Sequence, residues 1–89
     1  MDTYFIDYDL HKKGEHDYQK LFLALGLFGA VRMLESLWCI KRSGTSCLLL
    51  HDHFRQFIHP DDALSVSRVD DWAMSGTTAT PSEGPKNTK

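Results

Sequence analysis

The stretch Thr3-Tyr4-Phe5-Ile6-Asp7-Tyr8-Asp9-Leu10 decides the fold. Tyr4, Ile6, Tyr8 and Leu10 share one side of an extended chain, and Phe5, Asp7 and Asp9 share the other. Aromatic and β-branched residues at period two predict a strand with one buried face. His11-Lys12-Lys13-Gly14-Glu15-His16 then breaks the pattern as a polar loop with a glycine in it. From Asp17 the period changes. Tyr18, Leu21, Phe22 and Leu25 stand at i, i+3, i+4 and i+7, the apolar stripe of a helix, and Asp17 places negative charge in its first turn. Gly26 and Gly29 bracket its end, and one of them is the expected C-cap.

Residues 30–42 form a second extended region, long for a single strand of about 5–6 residues. The polar pair Glu35-Ser36 in its middle is the natural place for a tight hairpin. Ser43-Gly44-Thr45-Ser46 supplies N-cap candidates for a second helix, whose apolar stripe is Cys47, Leu50, Phe54, Phe57 and Ile58. That helix is expected to stop near His59, because Pro60 disfavours helix in the residue before it. Asp61-Asp62 reads as a turn, and residues 63–69 as a strand carrying Leu64 and Val66. Residues 70–74, Asp70-Asp71-Trp72-Ala73-Met74, add either a short edge strand or a docking segment.

The order is strand, helix, split strand, helix, strand. The expectation is therefore an α+β chain in a ferredoxin-like βαββαβ two-layer sandwich, with both helices on one face of an antiparallel sheet. The face carrying Phe5, Asp7 and Asp9 would then lack helical cover, and a second subunit could supply it.

Eighty-nine residues, 42% hydrophobic and 25% charged, suffice for one core and no more. We expect a domain over residues 1–76 and a flexible polar tail over 77–89, where a single Ala is the only apolar side chain. Ten Lys and Arg against 12 Asp and Glu argue against the broad basic footprint of a polybasic nucleic-acid binder. Met1-Asp2-Thr3-Tyr4 carries an acid where a signal peptide carries Lys or Arg, and Gly26, Gly29 and Arg32 interrupt the apolar run from Leu21 to Met33. A cytoplasmic protein without membrane contact is expected. Cys39 and Cys47 lie among apolar residues and read as small core fillers in a reducing compartment.

Three segments carry a resemblance. They are the first strand ending Asp7-Tyr8-Asp9-Leu10, the run Val31-Arg32-Met33-Leu34-Glu35-Ser36-Leu37-Trp38 after a helix and a glycine, and Phe57-Ile58-His59-Pro60-Asp61-Asp62-Ala63-Leu64-Ser65-Val66. Together, over about residues 3 to 70, they resemble the Cas-two family, the small adaptation subunit of CRISPR systems. Virulence-associated protein D toxins share that superfamily. The resemblance implies a ferredoxin-like protomer, a symmetric homodimer, and an Asp at the end of the first strand that binds a divalent metal. By its place after Tyr8, that residue is Asp9. The implied function is a metal-dependent nuclease or nucleic-acid-associated dimeric subunit, with RNA or DNA and a CRISPR integrase subunit as partners. A non-enzymatic dimeric interaction module and a toxin-like ribonuclease are the alternatives.

Asp7 and Asp9 form a D-x-D on one strand face, about 7 Å apart along the strand. A bare D-x-D is more often a solvated strand edge. Its hard oxygen ligands nonetheless suit magnesium, which keeps several waters and takes one or two protein carboxylates. Asp9 from each subunit of a two-fold dimer would supply such a pair, leaving Asp9 as both catalytic and metal-binding candidate. His51 and His53 stand two apart and face different ways on a helix, so with His11 and His59 they read as surface histidines. Trp38 and Trp72 read as core or interface packing, and Asp61-Asp62 and Asp70-Asp71 as turn acids.

Overall fold

The computed structural model describes residues 1–77. Six elements follow one another: β1 (Asp2–Asp9), α1 (Gln19–Leu27), β2 (Val31–Leu34), β3 (Leu37–Arg42), α2 (Cys47–Arg55) and β4 (Ala63–Val69). The strands make one sheet in the order β2-β3-β1-β4, every pairing antiparallel. Both helices cover one face of it, giving the expected ferredoxin-like α+β sandwich. The expected tail, apart from Thr77, lies outside the described residues.

Strand β1 is central and behaves as its alternation requires. Tyr4, Ile6 and Tyr8 are buried against the helices. Tyr4 lies opposite Ile40, Ile6 opposite Trp38 and Val66, and Tyr8 opposite Leu64. Leu21 and Leu25 of α1 and Leu50 and Phe54 of α2 close the core over them. Burying this contiguous apolar cluster is what holds the two layers together.

Gly29 ends α1. Its φ of +76° lies in the left-handed region, the N–H of Ala30 bonds the Leu25 carbonyl at 2.9 Å, and the N–H of Gly29 bonds that of Gly26 at 3.0 Å. This is a Schellman stop, with Ala30 beside Leu25. Asp17 sits just before the first helical turn, where its carboxylate accepts the Gln19 N–H at 2.9 Å. Ser46 is the cap of α2, accepting the Leu49 N–H at 3.1 Å. Helix α2 ends at Arg55, ahead of the expected stop near His59. The chain tightens there, as the N–H groups of Phe57 and Ile58 bond carbonyls three residues back, at Phe54 and Arg55.

Glu35-Ser36 is the two-residue loop between paired Leu34 and Leu37, as its polarity suggested. A bulge adjoins it: Arg32 faces Trp38 and Leu34 faces Leu37, leaving buried Met33 as the extra residue. On the sheet face away from the helices, the Trp72 ring meets the Phe5 ring edge-on, 5.7 Å between centroids and 68° apart. Residues 70–74 are therefore a docking segment and add no strand. The outward surface of the helix layer is apolar to an unusual degree. Leu27, Leu48, Leu23 and Leu49 are 85%, 68%, 66% and 61% exposed.

Candidate functional site

One end of the sheet gathers the polar chemistry. The end of β1, the loop 11–16, the Glu35-Ser36 turn and the turn 59–62 all meet there. Asp9 is the last residue of β1, on the face without helices, and its side chain is 74% exposed. One carboxylate oxygen lies 3.4 Å from His11 Nε2. Asp7, two residues back on the same face, accepts a 3.3 Å hydrogen bond from Ser36 Oγ. A hollow of about 340 Å³ takes in both acids with Ser36, Ala63 and Ser65.

Asp9 also borders a second hollow, of about 310 Å³, lined by Leu10, Lys13, Phe22, Arg32 and Glu35. Its floor is built on the Tyr8 hydroxyl, which accepts from Trp38 Nε1 at 3.0 Å and donates to the Glu35 carbonyl at 3.2 Å. Arg32 Nε donates to the same carbonyl at 3.0 Å. The Arg32 guanidinium lies over both Phe22 and Trp38, 5.3 and 5.4 Å from their ring centroids, and those rings are stacked 16° from parallel. Trp38 thus packs against the core, stacks on Phe22 and donates its N–H to Tyr8.

Asp62 is the residue whose importance sequence reasoning missed. It is a turn acid, as expected, yet only 8% exposed. Its carboxylate accepts three hydrogen bonds, from His11 N–H at 2.7 Å, Tyr18 Oη at 2.7 Å and His59 N–H at 2.8 Å. Burial alone would push the carboxyl up, but these donors together outweigh it and hold the group below the usual carboxylate range. Tyr18 responds in the opposite direction, pushed up by burial and then by its bond to Asp62. A carboxylate bonded on both oxygens in this way is a clasp, joining the loop after β1, the start of α1 and the turn into β4. The sequence offers one faint signal, an acid three residues after His59 that reaches back to its N–H while the Asp62 N–H bonds the His59 carbonyl.

The histidines divide. His51 and His53 are spoken for by Asp52 at 3.1 Å and by packing against Phe28 and Phe54. His11 is exposed beside Asp9. His16 and His59, half-buried like His51 and His53, hold their rings edge-on 6.0 Å apart. His59 Nδ1 accepts the Asp61 N–H at 3.0 Å, and His16 Nε2 lies 3.2 Å from the Phe57 carbonyl. Among the described residues no three His, Cys, Asp or Glu side chains converge to hold a metal. Cys39 is a buried filler, its thiol pushed up to about 11 by burial, and Cys47 packs half-buried at the core edge.

Fold and site together define a small ferredoxin-like α+β protein with a charged hollow at one sheet end. No family model matches the chain, and no solved structure matches it. Among the described residues no helix is long and apolar enough to cross a membrane.

Proposed function

We propose that the protein is a homodimeric, nucleic-acid-associated subunit of the kind its resemblance to the Cas-two family implies, with Asp9 of each protomer sharing a magnesium ion across a two-fold axis. The observation that supports this reading is the Asp9 carboxylate, 74% exposed at the end of β1 on the face without helices. Asp7, on the same face, is engaged by Ser36 Oγ, which leaves Asp9 as the open carboxylate of each protomer, and magnesium accepts two from protein while keeping its waters. The donor set fits the ion once a symmetry mate completes it.

When bound, the ion supplies Lewis-acid polarisation of a phosphodiester and a water of lowered pKa. Asp9 holds it, and His11, 3.4 Å away, orients the carboxylate. Lys13, which lines the adjoining hollow, supplies positive charge for a phosphate.

Thermal melts of the parent protein, Asp9→Asn and Asp7→Asn, with and without millimolar magnesium, test the reading beside cleavage assays on single-stranded RNA and duplex DNA. Magnesium should raise the melting temperature of the parent and of Asp7→Asn, and leave Asp9→Asn unmoved. Light scattering should give twice the 10.2 kDa chain mass. A parent indifferent to magnesium, with no cleavage that depends on Asp9, leaves the reading of a dimeric interaction module without chemistry. The four exposed leucines of the helix layer favour that second reading.

A further inference from the structure

The hollow of about 310 Å³ beside Tyr8 brings charges of opposite sign together without letting them neutralise one another. Lys13 and Glu35 both line it, and neither side chain makes an ion pair with any described residue. Their mounts are firm. Lys13 stands in a turn closed by the Glu15 N–H on the Lys12 carbonyl at 3.0 Å, with Gly14 at a φ of +92° that few other residues adopt. The Lys12 N–H is tied in turn to Tyr18 Oη at 3.2 Å. Glu35 sits on the hairpin turn whose carbonyl receives Tyr8 Oη and Arg32 Nε. Leu10 and Phe22 are the apolar members of its lining, beside Asp9 and Arg32.

Unpaired charges of opposite sign with two apolar side chains in one hollow are complementary to a small molecule carrying both signs. The volume lies at the lower end of ligand pockets, about 300–1,000 Å³, which suits a molecule of a dozen or so heavy atoms. We propose that this hollow binds a free α-amino acid with an apolar side chain. Its carboxylate meets Lys13, its ammonium meets Glu35, and its side chain lies along Leu10 and Phe22. The proposal shares Lys13 and the Asp9 border with the magnesium reading but needs no ion, and Glu35 belongs to it alone.

Titration calorimetry on the full chain, with L-leucine and L-phenylalanine as probes, tests it. Each charge-assisted contact contributes enough that its loss should weaken binding by about tenfold or more. The N-acetyl derivative, which lacks the ammonium, and the methyl ester, which lacks the carboxylate, should therefore each bind at least about tenfold more weakly than the free amino acid. Lys13→Gln and Glu35→Gln should show the same loss with unchanged melting temperatures, since neither side chain has a partner to lose. Glu35→Gln should lose the amino-acid response while keeping any magnesium response, so the two readings fail separately. No heat from either amino acid at tens of millimolar overturns the proposal. So does equal binding of the blocked derivatives, or undiminished binding by both variants.

Discussion

Tyr18 Oη donates a 2.7 Å hydrogen bond to Asp62 Oδ2, joining residues 44 positions apart in the chain. Neither group has water to fall back on, since both residues are buried. The bond therefore works as a joint between the first helix and the entry to the last strand, and its removal should be felt throughout the domain.

Asp62→Ala should lower stability by roughly 2–4 kcal/mol, because it strands the Tyr18 hydroxyl and two backbone N–H groups together. Tyr18→Phe should cost less, about 1–2 kcal/mol, since the carboxylate keeps its two backbone donors and the Lys12 N–H is the one donor that loses its acceptor. Urea melts of both variants check the ranking. A Tyr18→Phe loss as large as that of Asp62→Ala would show that the carboxylate acts through the tyrosine alone.

The pH dependence of the clasp has a definite sign. The Asp62 carboxyl is held below its unfolded value, so the unfolded chain binds the proton more readily. The clasp's contribution is complete above the unfolded carboxyl pKa of about 4 and is lost as pH falls through the folded value. The stability gap between the parent and Asp62→Asn should thus hold steady from pH 5 to 7 and narrow below about pH 4. A gap that widens in acid contradicts the arrangement.

The two glycines at the end of α1 should respond oppositely to alanine. Gly29 sits at φ +76° with open space around its Cβ position, so Gly29→Ala pays backbone strain alone, about 1–2 kcal/mol. Gly26 is helical with nothing near a new Cβ, so Gly26→Ala should stabilise by about 0.5–1 kcal/mol. Thermal melts giving both changes the same sign would dismiss the helix stop described above.

Cys39 and Cys47 should separate in a thiol-labelling time course at neutral pH. Cys39 is buried and its thiol stands at about 11, so it should label only as fast as the domain opens. Cys47 is half-buried and should react first. Equal rates in the native protein, unchanged by mild urea, would place Cys39 at the surface.

Phe5→Ala and Trp72→Ala should couple by about 1 kcal/mol in a double-mutant cycle, the worth of an edge-to-face aromatic pair. Zero coupling would mean that the segment after β4 does not rest on the sheet.

Much of the fold was legible because single-element physics governs it. The period of two across Tyr4, Ile6 and Tyr8, the Glu35-Ser36 break and the Ser46 cap each follow from a residue's own preference, and the structure follows them closely. Asp62 was not legible. Its role depends on Tyr18 and His11 arriving from distant parts of the chain, and a buried acid in a turn is written with the same letter as a solvated one. The end of α2 was misjudged for a related reason, since the tightened turn through Phe57 and Ile58 answers to core packing rather than to Pro60 alone. At the site, the alternation that put Asp9 opposite Tyr8 was readable. The hollow linking Lys13, Phe22 and Glu35 was not, because three elements must fold before it exists.

The central place of β1 has a consequence for how the chain comes into being. The first strand made is the one both neighbours need, yet those neighbours, β3 and β4, end at Arg42 and Val69. During synthesis residues 2–9 find no strand partner until β3 is complete at Arg42, and no second one until β4 is complete at Val69. The last strand made closes beside the first, and contacts that span most of the described sequence slow folding.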